Sequence, residues 1–259
     1  MKAILECRAI DFRAEAENTA TASDERWWTF EQINRDRRAI RDFDGSPIPD
    51  EDVKALIGEA LLAPSSGNSQ PYMIHWLRDP ALKAAAASAC RNQRAAHSAS
   101  TLLVFVSASR FALETASMFR AYVESTPELS EKSRHYHLRE LKTGMRFLRI
   151  ASFVFWSPFH SLLTSVFPSL TLAPLGPKAV RNWVARGTLF AAQTVLLAAS
   201  ARGLDTCPME GFDARKLTRI LGLKRGDVIA IIVALGHRRP DALIEPRWRR
   251  SFDVAVQVH

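Results

Sequence analysis

The sequence predicts an α+β fold, a central mixed β-sheet flanked by helices and carrying a hydrophobic helical insert, on three observations. VIAIIVAL, 228–235, is a continuous apolar run of strand length, which needs cover on both faces of a sheet. LFAAQTVLLAAS, 189–200, has helical spacing but is apolar on nearly all sides, so it belongs at the centre of the fold. Helix and strand patterns mingle along the chain with no internal repeat, which places both in one domain.

Size and charge bound the rest. A chain of 259 residues, 47% of them hydrophobic, can fill a substantial core. Lys and Arg exceed Asp and Glu by 35 − 27 = 8, a surplus that attracts phosphates, anionic cofactors, nucleic acid or an acidic membrane surface without choosing among them. No aromatic-basic module or recognition helix accompanies that charge, so no specific nucleic-acid partner is expected. Cys7, Cys90 and Cys207 are far apart with no CxxC pair, which argues against a disulfide framework or zinc and for a reducing, cytoplasmic setting. Charges scattered through MKAILECRAIDFRAEAEN interrupt the stretch where a signal peptide needs an apolar run.

The elements follow in order. Residues 1–25 are polar and aperiodic and read as an N-terminal arm to a domain spanning 26–259. Trp27, Phe30 and Ile33 recur at helical spacing within a helix over 26–38. After Pro49, the acidic start DED and the apolar positions Val53, Leu56, Ile57, Ala60 and Leu61 predict an amphipathic helix that Pro64 ends. Residues 72–77 read as a strand, Asp79 and Pro80 open an alanine-rich helix through Cys90, and TLLVFVS, 101–107, is a buried strand. Helices fill an insert at about 110–180. After 189–200, Arg202 and Gly203 form a C-cap, Asp213 caps a short helix stopped by Gly222, and 228–235 completes the sheet.

Within the insert, 147–175 is nearly free of charge over more than the roughly 20 residues of a bilayer span. Pro158, Pro168 and several hydroxyl residues would release backbone groups that lipid cannot satisfy, which favours a buried insert or lid. The alternative is a helical hairpin on a membrane surface, with Arg146 and Arg149 at its edge.

Four polar clusters sit at the ends of these elements. RDRRAIRDF, 35–43, holds Arg37, Arg38 and Arg41, close enough for two planar guanidinium forks to clamp one phosphate, although a solvated basic face has the same composition. APSSGNSQP, 63–71, offers backbone and side-chain donors to a planar ligand or makes an ordinary helix-to-strand turn. DTCPMEGFD, 205–213, allows a tight turn whose amides stabilise negative charge, or merely feeds the next helix. PRWRRSF, 246–252, supplies Arg247 and Arg249 to an anion pocket or is a frayed basic tail.

In order and spacing, RRAIRDF, LLAPSSGNSQPY, LLAASARGLDTCPMEGFD and VALGHRRPD with the following RWR resemble the signature blocks of the FMN-dependent nitroreductase family over about residues 35 to 255. The resemblance implies a nitroreductase-like fold and a homodimer with FMN at the subunit interface. It places Arg37, Arg38, Ala39 and Arg41 on the FMN phosphate and ribityl chain, with Arg247 and Arg249 closing the same pocket. Pro64, Ser65, Ser66 and Asn68 would reach FMN from the other subunit, and Asn92 would bring an amide near the ring. Pro208, Met209, Glu210 and Gly211 would lie against the isoalloxazine, Glu210 and Gly211 serving the chemistry through their backbone amides. Ala39 stands where the family commonly has serine, a loss of about 0.5–1.5 kcal/mol for one hydrogen bond.

The implied activity is an oxidoreductase passing a hydride from NAD(P)H through FMN to an electron-poor acceptor such as a nitroaromatic or a quinone. Charge near the N1 edge of the ring would aid it, with Arg249 as candidate. The alternative is a flavin-fold protein of reduced turnover that binds a membrane surface or acts as a scaffold through 147–175. No metal is expected, because His75 and His237 lack a second ligand at metal-binding spacing. Cys207 reads as a small buried side chain, and Trp156, Phe159 and Phe167 as packing.

Overall fold

Four apolar runs pair as strands. In the computed structural model, which describes residues 22–151 and 176–259, β1 (Tyr72–Leu77), β2 (Thr101–Ser107), β3 (Asp205–Met209) and β4 (Val228–Gly236) lie in the order β1-β2-β4-β3. Every neighbouring pair is antiparallel, and the parallel component expected of a mixed sheet is confined to the bridge between Ala39 and Thr206. The cause is local. Helices α3 (Pro80–Ser88) and α4 (Arg94–Ser98) leave and rejoin the sheet at one end, where Leu77 faces Leu102, so β2 must run back along β1.

Strand alternation divides the core in two. Leu102, Val104 and Val106 with Ile232 and Ala234 face α3, α4, Ile40 and Phe43, whereas Leu103 and Phe105 with Val233 and Leu235 face the other way. A bulge opposite Phe105 and Val106 inserts Ala230, which shifts the phase and sends Ile229 to the first face while Ile231 stays on the second.

The second face is covered by α2 (Asp50–Leu61) and by a long helix that, after α5 (Ser109–Ser125) and α6 (Glu131–Ala151), becomes α7 (Pro177–Ala201). In α2, Val53, Leu56 and Ala60 are buried as their spacing predicts, but Leu61 points to solvent. Helix α7 starts earlier than its apolar run suggests, at Pro177, whose fixed φ suits a first helical turn. Val180, Val184, Thr188, Ala191, Val195 and Ala199 form its buried stripe. Its length and apolarity match a bilayer span, yet these residues pack on the sheet. Gly203 at φ 70° ends it, with Leu204 N donating to Ala199 O at 2.9 Å.

Helix α1 (Ala22–Asp36) begins inside the expected arm and turns Trp27 and Phe30 outward, 61% and 44% exposed, so that apolar stripe faces away from its own core. The insert is helical where described: α5 packs on α6, and Arg134 ties their connection by donating to Glu124 O at 3.1 Å and Thr126 O at 2.8 Å. Residues 1–21 and 152–175, with Trp156, Phe159, Phe167 and most of the charge-free run, lie outside the described residues. Asp213 caps α8 (Ala214–Ile220), accepting from Lys216 N at 3.0 Å, and α9 (Phe252–Ala255) closes the chain.

Asp79 caps α3 as its sequence predicts, accepting from Leu82 N at 2.7 Å. Asp79→Ala is therefore expected to lower unfolding free energy by about 1 kcal/mol. A urea titration checks this: the midpoint falls with an unchanged slope, and Asp79→Asn retains most of the lost stability.

Candidate functional site

The site grows from β3 and the residues that flank it. Pro208 cannot donate to a ladder and is tolerated because β3 is the edge strand of the sheet, with, among the described residues, only the isolated bridge from Ala39 to Thr206 on its outer side. After Met209, whose side chain is buried, the chain turns at Glu210 and Gly211, with Phe212 N donating to Glu210 O at 3.1 Å and Asp213 N to Ala89 O at 2.8 Å. Among the described residues no backbone carbonyl accepts the amides of Glu210 or Gly211, so both remain available as donors. Gly211 O accepts from Gln93 Nε2 at 2.5 Å. Asn92, one residue earlier, is exposed with φ 57°, so in this structure the amide that reaches the turn is that of Gln93.

A crevice of about 1170 Å³ opens between α7 and this strand. Gly187, Phe190, Gln193 and Leu196 of α7 form one wall, Pro208 and Glu210 the other, and Ser66, Ser69 and Pro71 the rim. Gly187 lets α7 approach the rim closely: a Cβ there would stand 3.2 Å from Pro71 Cγ, tight enough that the proline ring would have to give by a fraction of an ångström. A smaller polar pocket of about 480 Å³ holds Arg37, Arg38, Ser200 and Thr206. Leu196 and Ser200 are one helical turn apart, and Pro208 and Thr206 are same-face neighbours on β3. The two pockets share no lining residue but lie in line along α7 and β3, the one apolar at the Glu210 end and the other cationic at the Thr206 end. Four residues of strand separate those ends, about 13 Å at the usual rise.

The cationic end is built by sewing both chain ends to β3. Ile40 N donates to Thr206 O at 2.9 Å, and Ile40 is buried while Arg41 points outward. Arg247 caps α1 by donating to Asn34 O at 3.2 Å, Arg35 O at 2.6 Å and Arg37 O at 2.7 Å, which makes the C-terminal segment a fixed wall and not a frayed tail. Arg38 Nη2 donates to Glu245 O, and Arg249 Nη1 to Trp248 O at 2.7 Å. Among the described residues no carboxylate lies within ion-pair distance of Arg37, Arg38, Arg41, Arg247 or Arg249. Partial burial, then the charges of Arg249 and Arg38, lower the pKa of Arg37. Burial, then Arg38, Arg37, Arg249 and Arg35, do the same to Arg247. Arg249 thus stands among the arginines gathered beside Arg37 and Arg247. Asp36 and Asp205 also line the polar pocket, Asp205 engaged by Arg238, and the arginines gathered beside it leave a surplus of positive charge that fits a bound anion.

The neighbouring Arg238 is differently employed: its Nε reaches Asp205 Oδ2 at 2.9 Å and its backbone N the same oxygen at 2.9 Å. This pair raises the Arg238 pKa and pins the start of β3 to the end of β4.

In the rim loop, Gly67, Asn68 and Gln70 have positive φ of 60°, 51° and 38°, and the turn is held internally: Ser65 Oγ accepts from Gln70 N at 2.9 Å and Asn68 Oδ1 from Gln70 Nε2 at 3.1 Å. Of the four loop residues expected at a cofactor, Ser66 lines the crevice, Ser65 braces the loop, Pro64 is exposed, and Asn68 faces a second cleft against α5 and α6. Gln93, Gln193 and Ser69 were not expected. Gln193 left a trace as the one amide in LFAAQTVLLAAS.

Both described thiols are inert. Burial pushes Cys90 up to about 11 and raises Cys207, the latter opposed by Arg41. Burial lowers the His75 pKa, and no cluster of His, Cys, Asp or Glu among the described residues could hold a metal.

An apolar crevice with free turn amides, and guanidinium groups without carboxylate partners gathered near it, define the class as an α+β protein with a cofactor-sized cleft. The sequence model of the nitroreductase family matches residues 35–237, and the chain belongs to that family. It is 27% identical over 203 residues to an NADH dehydrogenase of Thermus thermophilus, covering 78% of this chain and 82% of the relative. A nitroreductase family protein of Streptococcus pneumoniae superposes with a TM-score of 0.68 at 21% identity, covering 89% of this chain and 100% of the other. An NADPH:FMN oxidoreductase of Vibrio harveyi, complexed with NAD+, gives 0.58 at 22% identity, covering 89% and 76%.

Proposed function

We propose that this protein is an FMN-dependent oxidoreductase that draws electrons from NAD(P)H and delivers them to an electron-poor acceptor, a nitroaromatic or a quinone. The observation that carries it is the alignment of the two pockets along β3, whose apolar width, free turn amides and cationic end match a flavin ring, its polar edge and a phosphate. The residues present fit the cofactor. When bound, FMN supplies the hydride chemistry.

The chain's own residues provide placement and electrostatics. Arg37 and Arg41 bind the phosphate, with Arg38, Arg247 and Arg249 setting the field around it, and Ala39 follows the ribityl chain. Pro208 shapes the ring's resting face, with Met209 anchoring the strand in the core beneath it, and the amides of Glu210 and Gly211 donate to the ring's polar edge, so no side-chain acid is required of Glu210. Ser66, with Gly187 and Phe190, narrows the open side and excludes water.

A homodimer completes this reading. Leu189 and Phe190 on α7, Trp27 and Trp28 on α1, and Trp248, Phe252 and Val256 near the C-terminus are exposed apolar side chains that a partner subunit would cover. In the dimer the rim loop, with Pro64, Ser65 and Asn68, would approach the partner's cofactor, and Asn92 the ring of its own. The setting is cytoplasmic.

The test is spectroscopic. Gently purified protein should carry a flavin band, take up added FMN in a ratio of about one per chain, bleach under anaerobic NADH or NADPH and recover colour with a quinone. A colourless protein that ignores added FMN, or a flavin that neither nucleotide bleaches, would defeat the proposal. Light scattering at micromolar concentration should return twice the 28.9 kDa chain mass.

A further inference from the structure

The rim loop has two sides, and only one faces the crevice. Behind Ser66 and Ser69 lies a second cleft of about 740 Å³, walled by α5 and α6. Ser66, Ser69 and Trp183 belong to the walls of both cavities, so the spaces adjoin across those three residues. The cleft is apolar within, with Ala116, Phe119, Leu141, Met145 and Leu148, and polar at Tyr136 and Glu140, which are exposed on α6. At the junction the Ser69 hydroxyl is buried, and among the described residues nothing partners it. Native folds seldom leave a buried hydroxyl unmet, and a turn about χ1 would bring this one from its buried position toward a ligand's oxygen at the junction. The crevice alone already exceeds the 300–1,000 Å³ of an ordinary small-molecule pocket, and a compact acceptor would leave the adjoining cleft empty.

We propose that the acceptor is a ring compound bearing an apolar tail: the ring, with a carbonyl oxygen accepting from Ser69, occupies the crevice, and a hydrocarbon substituent of several carbons runs into the α5–α6 cleft. This rests on the functional reading above for the ring's place, and the cleft's preference for a tail is new to it. Phe119 and Trp183 supply flat contact surface, while Ala116 keeps the floor of the cleft open.

The experiment uses 1,4-benzoquinones carrying a 2-n-alkyl chain from none to ten carbons, with the FMN-loaded protein. Values of kcat/KM should rise roughly fourfold per methylene over the first few carbons and then level once the cleft is full. Ala116→Trp should abolish the dependence on chain length, and Met145→Glu should reverse it for long chains. Ser69→Ala should lower kcat/KM roughly fivefold at every chain length, as expected for a single hydrogen bond to the ring. Calorimetric titration with redox-inert 2-alkyl-1,4-dimethoxybenzenes repeats the series as binding alone, independent of turnover. A flat series in both measurements, with flavin reduction by NAD(P)H intact, overturns the tail site. Failure to bind or reduce FMN defeats the functional reading instead, and the calorimetric series then still decides the cleft. If either bulky variant fails to fold, the wild-type series and Ser69→Ala carry the decision.

Discussion

Arg37→Ala is expected to weaken FMN binding by roughly 10- to 100-fold, the range for loss of one charge-assisted hydrogen bond, while raising the thermal midpoint of the cofactor-free protein. The two effects have one cause. Arg37 is half-buried beside Arg38 and Arg249, its guanidinium makes no hydrogen bond among the described residues, and its pKa is lowered first by burial and then by those two charges. A base whose folded-state pKa lies below its unfolded value is charged at a cost in the folded protein, and an arginine remains charged at every accessible pH. Removing it relieves that cost when no phosphate is present and removes an attraction when one is. The gap between the midpoints with and without FMN therefore closes from both sides. Thermal scans with and without saturating FMN test this, and added salt should stabilise the wild-type apoprotein more than the variant. Arg247→Ala should behave oppositely in the apoprotein, because its guanidinium holds three carbonyls at the end of α1. An apoprotein destabilised by Arg37→Ala, with unchanged affinity for FMN, would show that the cluster is a structural brace and not an anion site.

How far the sequence foretells such a site depends on the range over which each signal acts. The stripe of α2, the caps Asp79 and Asp213 and the run 228–235 were legible because helix periodicity, a capping oxygen and two-sided burial are local or purely compositional. Strand β3 was not, since a proline and polar neighbours read as a turn; only the sheet reveals that Pro208 sits on an edge that can spare its missing donor. Antiparallel order was hidden for a similar reason, as it depends on where α3 and α4 return the chain. Site residues divide in the same way. The arginines and the turn at 208–211 stand in contiguous blocks, whereas which amide faces Gly211, that of Gln93 and not that of Asn92, is decided by a left-handed turn at Arg91 and Asn92. That the cationic and apolar pockets lie in line follows from Leu196 lining one with Pro208 and Ser200 the other with Thr206, a relation between segments that no single stretch encodes.

Gly236→Ala is the substitution with the largest expected structural effect, and it acts on the site from a distance. Gly236 ends β4 opposite Asp205, and a Cβ added there would stand 2.7 Å from Cδ1 of Phe43 and 3.1 Å from Ser100 Oγ. Phe43 is 2% exposed and cannot swing into solvent without opening the core. Its backbone is held as well, with Phe43 N donating to Ser98 Oγ at 3.1 Å and Asp44 N to His237 O at 3.0 Å. The added methyl group must therefore displace the segment 39–44, an overpacking cost of about 1–3 kcal/mol. In a domain of this size that corresponds to a fall of roughly 2–12 °C in thermal midpoint. Because the same segment carries Arg41 and bridges β3 through Ala39 and Thr206, affinity for FMN should fall with it. Pairing the change with Phe43→Leu makes room for the methyl group, so the double variant should be more stable than the sum of the single effects predicts and should regain part of the lost affinity. Strict additivity of the two changes would mean that Phe43 is not what excludes a side chain at position 236.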